Sequence, residues 1–412
     1  MGRSLRLNLQ AKRRTWEYIN YTVLFAFGLA LWGIACQIMI GWNTVDSYCT
    51  TLLAFSYQKY GFVRRGLLGS IYQLFCSWFP GLLNDKGAFG FMCGMTILYW
   101  GALVLFCKQA VNRTVERKNQ RCLFFFLLFF MEFLIPTAFF AGGAFGRADL
   151  CQMVICLLQI YLIIERRMEW LTIPLTSVNV LFHEGYLCMT FAAVLIILIY
   201  RLAKDEGAKR KYLWLLIGNI IAMAIPAVIS VACSRNGTIE EYEQAYAVAE
   251  SLNSSGAVHY NLLSTMCGYE QNVILTDDSI FKSRELLETP VFLVIFLPVL
   301  IAYGKFIVGL FRHLQGKKKG VYLWLLLLGP ALISVEFIVF CDFGRYVCWL
   351  CFYYFASFIS LYSMGDEALA LTVTQMLDGK KRYIFLINMI YQPLLTTSYC
   401  AVSSLLLTIF KA

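Results

Sequence analysis

Residues able to do chemistry stand in this sequence as short clusters at the ends of apolar runs. Asp46 follows the first such run, and Arg64–Arg65 come after it inside a semi-apolar stretch from Trp42 to Pro80. Arg147 and Asp149 lie in AFFAGGAFGRADL, His183 and Glu184 in VLFHEGY, and Asp342 and Arg345 in CDFGRY. Acids and a histidine can take a proton from a hydroxyl, and arginines can hold an anion. Each group also has an ordinary use. Arg64–Arg65 would anchor an interfacial helix to headgroups, Asp149 would cap a helix or pair with Arg147, and Asp342 with Arg345 would form a local ion pair. A His-Glu pair between two short apolar runs has little structural use, so His183–Glu184 reads as functional.

The elements that carry these residues follow from composition. The chain has 412 residues, 59% hydrophobic and 15% charged, against about 25% charged in a soluble domain. Many apolar runs approach the ~20 residues that cross hydrocarbon. The expected fold is all-α: a polytopic transmembrane helical bundle of about eleven spans, a single transmembrane domain over 1–412. The net charge of +10 calls for no nucleic acid partner. The fifteen Cys show no CxxC spacing and read as small buried hydrophobes.

Spans are expected at about Tyr18–Gly41, Ala88–Cys107, Cys122–Ala141, Leu150–Ile164, Trp170–Phe182, Gly185–Tyr200, Tyr212–Cys233, Val291–Phe311, Val321–Cys341, Tyr346–Met364 and Tyr383–Phe410. The fifth and sixth are short, and read either as two helices or as one re-entrant hairpin. The stretch within the first outer loop, 42–87, is too polar to cross a bilayer and too apolar for a plain loop. One or two amphipathic helices lying along the membrane surface fit it. A second long outer loop covers 234–290. The basic start through Arg14, KQAVNRTVERKNQR, Arg166–Arg167, RLAKDEGAKRK, RHLQGKKKG and GKKR all fall on one side, which the positive-inside rule makes cytoplasmic. The candidate residues then fall together at the outer face. Charges at that depth are costly unless paired or facing a cavity, so their clustering is a functional sign. The inner side reads as carrying nothing comparable. Glu132 and Glu336 are intramembrane acids of either kind.

The sequence holds no Walker A, no strand-borne GxGxxG, no HExxH and no serine elbow. A substrate that is itself in the membrane suits it better than a nucleotide.

With Asp46 just after the first span, Thr51–Pro80 as a surface ledge and Gly146-Arg147-Ala148-Asp149 in the second outer loop, residues 18–200 resemble the GT-C superfamily of integral membrane glycosyltransferases. The sequence departs from that pattern in lacking an Asp-Glu pair at Asp46 and a DxD in the second loop. It is similar also to polysaccharide polymerases of the Wzy type, which place arginines and a long loop outside; 234–290 and Arg235 suit them. The resemblance implies glycosyl transfer from a polyprenyl-phosphate-linked sugar to an envelope glycan or lipid-linked acceptor, on the outer face of a bacterial plasma membrane. Arg64, Arg65, Arg147 and Arg345 would stabilise the leaving phosphate. Asp46 would be the general base, with His183 or Glu184 as the second choice. Asp149 or Asp342 would position the sugar or hold a divalent metal, Mg or Mn. The competing classes are a transporter or flippase for a lipid-linked or anionic glycan, and a scaffold of envelope assembly. An enzyme is favoured because no internal repeat is seen and the charges sit at one rim.

Overall fold

A computed structural model describes residues 45–113, 148–187, 190–232, 237–268, 304–339 and 343–377, with the single positions 297 and 301. The expected first, third and eleventh spans lie outside these residues, as do most of the eighth, Glu132, Arg147, Arg235 and Asp342. Among the described residues the regular structure is all helical, with no strand.

The ledge opens the described chain. Asp46 accepts the Tyr48 N–H at 3.3 Å and caps α1, Ser47–Leu53. A one-turn α2, Tyr57–Tyr60, and a longer α3, Gly66–Trp78, follow, then a 3₁₀ turn over Pro80–Leu82. α1 and α3 meet backbone to backbone at Gly69, where an added Cβ would stand 1.8 Å from the Phe55 carbonyl oxygen. Gln73 of α3 donates to the Leu53 and Ala54 carbonyls at 3.0 and 2.8 Å, satisfying the open C-terminal end of α1. The inner face of the ledge buries Cys49, Leu52, Leu53, Leu68 and Tyr72. Its other face leaves Leu74, Phe75, Trp78, Phe79, Leu82 and Leu83 exposed.

The bundle starts with α4, Asp85–Arg113, then α5, Asp149–Glu165, α6, Thr172–Phe182, α7, Phe191–Lys204, and α8, Lys209–Ala232. Two short helices, α9 at Ile239–Ser251 and α10 at Tyr260–Cys267, leave the bundle and pack on α1. The bundle resumes with helical residues 304–313, α11 at Lys317–Val339, α12 at Phe343–Ser363, and a shorter α13 at Glu367–Leu377. The core runs between α4, α5, α7, α11 and α12 and includes Tyr99, Phe106, Ile160, Ile196, Tyr322, Trp349 and Phe355. Cys49, Cys76, Cys151, Cys156 and Cys267 are buried, as expected of small apolar side chains, and Cys93 is half-buried.

Burial inside the bundle is not purely apolar. Gln159 of α5 donates to the Thr172 carbonyl at 2.9 Å and the Thr176 hydroxyl at 2.7 Å, and accepts from the Tyr186 hydroxyl at 3.0 Å. Thr176 donates to Asn219 of α8 at 2.7 Å. Asn219 in turn donates to the Thr172 hydroxyl at 3.0 Å. These partners tie α5, α6 and α8 together where an unpaired amide would cost about 1–3 kcal/mol.

Helix ends alternate between two poles. One pole holds the ledge, α9, α10 and the α6–α7 turn. The other corrects the expectation that the inner segments carry nothing comparable. There Asp205 takes Arg166 at 2.9 Å and the buried Arg201 at 3.3 Å. Arg201 also donates to the Ile163 and Ile164 carbonyls. Glu169, nearly buried, is bound by the Tyr212 hydroxyl at 3.0 Å and by Lys211. Asp366, fully buried, caps α13 through the Leu369 N–H at 3.1 Å, accepts the Tyr200 hydroxyl at 2.8 Å and pairs with Lys318 at 3.5 Å. In sequence these charges resemble solvated loops; in the fold they close helix ends and are paid by partners.

Among the described residues one helix, Glu206–Ser230, is long and apolar enough to cross a membrane, with a mean hydropathy of 2.1. The eleven-span count is not reached on this measure, and length explains part of the difference. α6 has 11 residues and α7 has 14, about 16 and 21 Å of helix against a hydrocarbon thickness of about 30 Å. A 3₁₀ turn at Glu184–Leu187 separates the two, an arrangement that both two separate spans and a re-entrant hairpin share.

Candidate functional site

At the ledge pole three segments meet on one side chain that the sequence did not single out. Tyr48, in the first turn of α1, carries its hydroxyl to Arg65, whose Nη1 donates to it at 2.5 Å. The same oxygen lies 3.5 Å from His183 Nε2. Its ring meets His259 edge-on, with centroids 5.4 Å apart. Local structure explains each placement. Arg65 precedes α3 with φ of 60°, in the left-handed region that side chains other than glycine avoid. His183 ends α6 in an extended conformation; its carbonyl accepts Gln152 Nε2 at 2.8 Å and its Nδ1 accepts the Gly185 N–H at 2.9 Å. His259 caps α10 through the Leu262 N–H at 3.2 Å, and its own N–H donates to the Thr51 hydroxyl at 3.1 Å. Asn253 fastens the same segment by donating to the Val45 carbonyl at 3.0 Å.

Of the expected site residues, Arg65 and His183 come together on the Tyr48 hydroxyl, with Asp46 and Arg64 as neighbours of Tyr48 and Arg65 in sequence. Asp46 sits one residue before α1 and spends Oδ1 on the cap, the ordinary use of an aspartate at that position. Arg64 is half-buried in the turn with Arg65. Glu184 opens the 3₁₀ turn next to His183. Asp149 is the first residue of α5 and fully buried, one turn before the Gln152 that holds His183. Arg345 lies in the first turn of α12, at the end away from Asp366. Arg147 and Asp342 lie outside the described residues.

Beside this site, burial pushes the Tyr57 phenol up to about 12, so it stays neutral at ordinary pH. The expected divalent metal would need carboxylates converging on one point. Among the described residues no three His, Cys, Asp or Glu side chains do so. The donors described do not make up a metal site.

No protein-family profile, curated protein or solved structure matches the chain. The arrangement at the ledge pole therefore carries the functional reading by itself. Chemically it offers a guanidinium fixed for an anion, an imidazole and a phenol in one hydrogen-bonded group, and a carboxylate one residue from the helix that bears the phenol.

Proposed function

We propose that this chain is a multi-pass membrane glycosyltransferase of GT-C type, moving a sugar from a polyprenyl-phosphate carrier to an envelope glycan or lipid-linked acceptor. The observation that carries it is the meeting of Arg65, Tyr48 and His183, from three separate segments, at one pole of a helical bundle. Exposed apolar surface supports the membrane part. α8 shows Leu213, Trp214, Ile217, Ile221, Ile225 and Val228 outward, and α11 shows Leu323, Trp324 and Leu327. Such a belt is out of place in water and suits acyl chains. The exposed Phe75, Trp78 and Phe79 edge of the ledge suits the interface. On this reading the basic segments face the cytoplasm with the N-terminus, and the ledge pole faces out of a bacterial plasma membrane.

In the reaction the acceptor oxygen forms a bond to the sugar's anomeric carbon as the bond from that carbon to the carrier phosphate breaks. The electron pair leaves on the phosphate, and Arg65 with Arg64 stabilises the growing charge. The acceptor proton passes to Asp46, or to Glu184.

A transporter or flippase is the second reading, and the buried polar contacts of Gln159, Thr176 and Asn219 favour it, because polar groups inside a bundle mark transport paths. The test is the surface-glycan profile of cells lacking the gene, complemented with wild type or Asp46→Asn. The transferase reading expects an altered glycan that wild type restores and Asp46→Asn, at equal membrane abundance, does not. Full rescue by Asp46→Asn moves the transporter and scaffold readings ahead.

A further inference from the structure

His183 is a possible base only if one ring nitrogen can accept a proton from substrate, and its surroundings assign both. The Gly185 N–H points at Nδ1 from 2.9 Å. That bond needs a lone pair, so Nδ1 bears no hydrogen, and the neutral ring carries its hydrogen on Nε2. Nε2 is 3.5 Å from the Tyr48 oxygen, so the bond runs from Nε2–H to the phenol. Arg65 Nη1 donates to that same oxygen. Two donors, one of them cationic, converge on one hydroxyl. The opposite tautomer would set an Nδ1–H head-on against the Gly185 N–H.

We propose that Tyr48 is the positioning residue of the site: its phenol oxygen holds the Arg65 guanidinium and the Nε2–H tautomer of His183 together, so that His183 donates there and does not take the proton. Arg65 needs such a tether. Its backbone sits in the left-handed region, which a residue with a Cβ avoids, and the hydroxyl ends the reach of that turn. Removing the hydroxyl alone, in Tyr48→Phe, keeps the ring that packs on His259. The hub itself does not depend on the transferase reading. Its consequence does: with His183 donating, the acceptor proton is left to Asp46 or Glu184.

The test is a ring-¹⁵N histidine spectrum of the full-length protein in lipid nanodiscs at neutral pH. The chain has only three histidines, and His183→Gln identifies the signals of His183 by their loss. The expected spectrum shows His183 as the Nε2–H tautomer. Tyr48→Phe shifts its Nε2 signal, and Arg65→Lys, which keeps the charge but loses the planar fork, shifts it too. His313, bonded to Gln375 at 2.9 Å at the other pole, stays in place. An Nδ1–H tautomer in wild type, or a His183 signal unmoved by both variants, overturns the hub. In the glycan assay Tyr48→Phe, at wild-type abundance, is expected to restore less than about a tenth of the product; full rescue overturns the positioning role. A deletion with no glycan change removes the transferase reading alone, and the spectrum still decides the hub.

Discussion

Arg65 is the residue on which the site turns, because a left-handed arginine ahead of a helix persists only where its surroundings compensate it. Arg65→Gln keeps much of the side-chain volume and removes the charge. It is expected to leave membrane abundance within twofold and to cut glycan product by 10²–10³, about 3–4 kcal/mol of lost charge stabilisation, read in the complementation assay. Asp46 separates capping from catalysis. Asparagine caps as well as aspartate, so Asp46→Asn keeps the fold, while loss of a base costs about 10²–10⁴ in rate. Tyr57 gives a pH test. Its folded pKa of about 12 exceeds the ordinary 10.0, so its neutral form favours folding below pH 10. That contribution falls away as pH rises from 10 towards 12. Tyr57→Phe is expected to flatten the alkaline loss of thermal stability measured by a melting series over that window. His183 was legible as an unusual His-Glu pair, and Arg64–Arg65 as a charged pair in apolar text. Tyr48 was not, since one tyrosine in an amphipathic run looks like any other, and only the fold shows that Arg65 and His183 reach it.

The ledge works as an element because α1 and α3 touch at Gly69 and because α9 and α10 lock α1 from the other side. A methyl at Gly69 has backbone in its way on two sides, the Phe55 and Leu52 carbonyl oxygens, so no rotamer relieves it. Gly69→Ala is expected to cost 1–3 kcal/mol or more, seen as faster cleavage of the ledge in limited proteolysis of membranes. Asn253→Ala leaves the buried Val45 carbonyl without its donor, at about 1–3 kcal/mol. It should release the 237–268 segment to protease while the bundle stays resistant. That the stretch described from Val45 to Pro80 forms short helices was readable from its mixed polarity. That a segment some two hundred residues later clamps it was not, because Asn253 and His259 lie in a polar loop whose sequence shows no partner.

Over the described residues, alternation of apolar runs and basic segments placed α5, α6, α8, α11 and α12 within four residues of their observed ends. It missed the end of α4 and the start of α7 by six, and read α9, α10 and α13 as loops. α8 begins at Lys209 where Tyr212 was expected, and α12 ends at Ser363 where Met364 was. The pole opposite the ledge was misread because hydropathy counts Asp366 and Glu169 as loop charges, while the fold buries them against lysines and tyrosines. Removing Asp366 leaves the buried Tyr200 hydroxyl without its acceptor and α13 without its cap, at about 1–3 kcal/mol. Asp366→Ala is therefore expected to lower the melting temperature of the purified protein without changing the glycan made per folded molecule. The claim at the centre of the account is that the ledge pole reads a lipid-borne phosphate. The most direct measurement is the thermal stability of detergent-purified protein with and without polyprenyl phosphate, in wild type and Arg65→Gln. Ligand at a hundred times its dissociation constant adds about 2.7 kcal/mol. The account predicts a raised melting temperature for wild type and little or none for Arg65→Gln; no shift in wild type, or equal shifts in both, would contradict it.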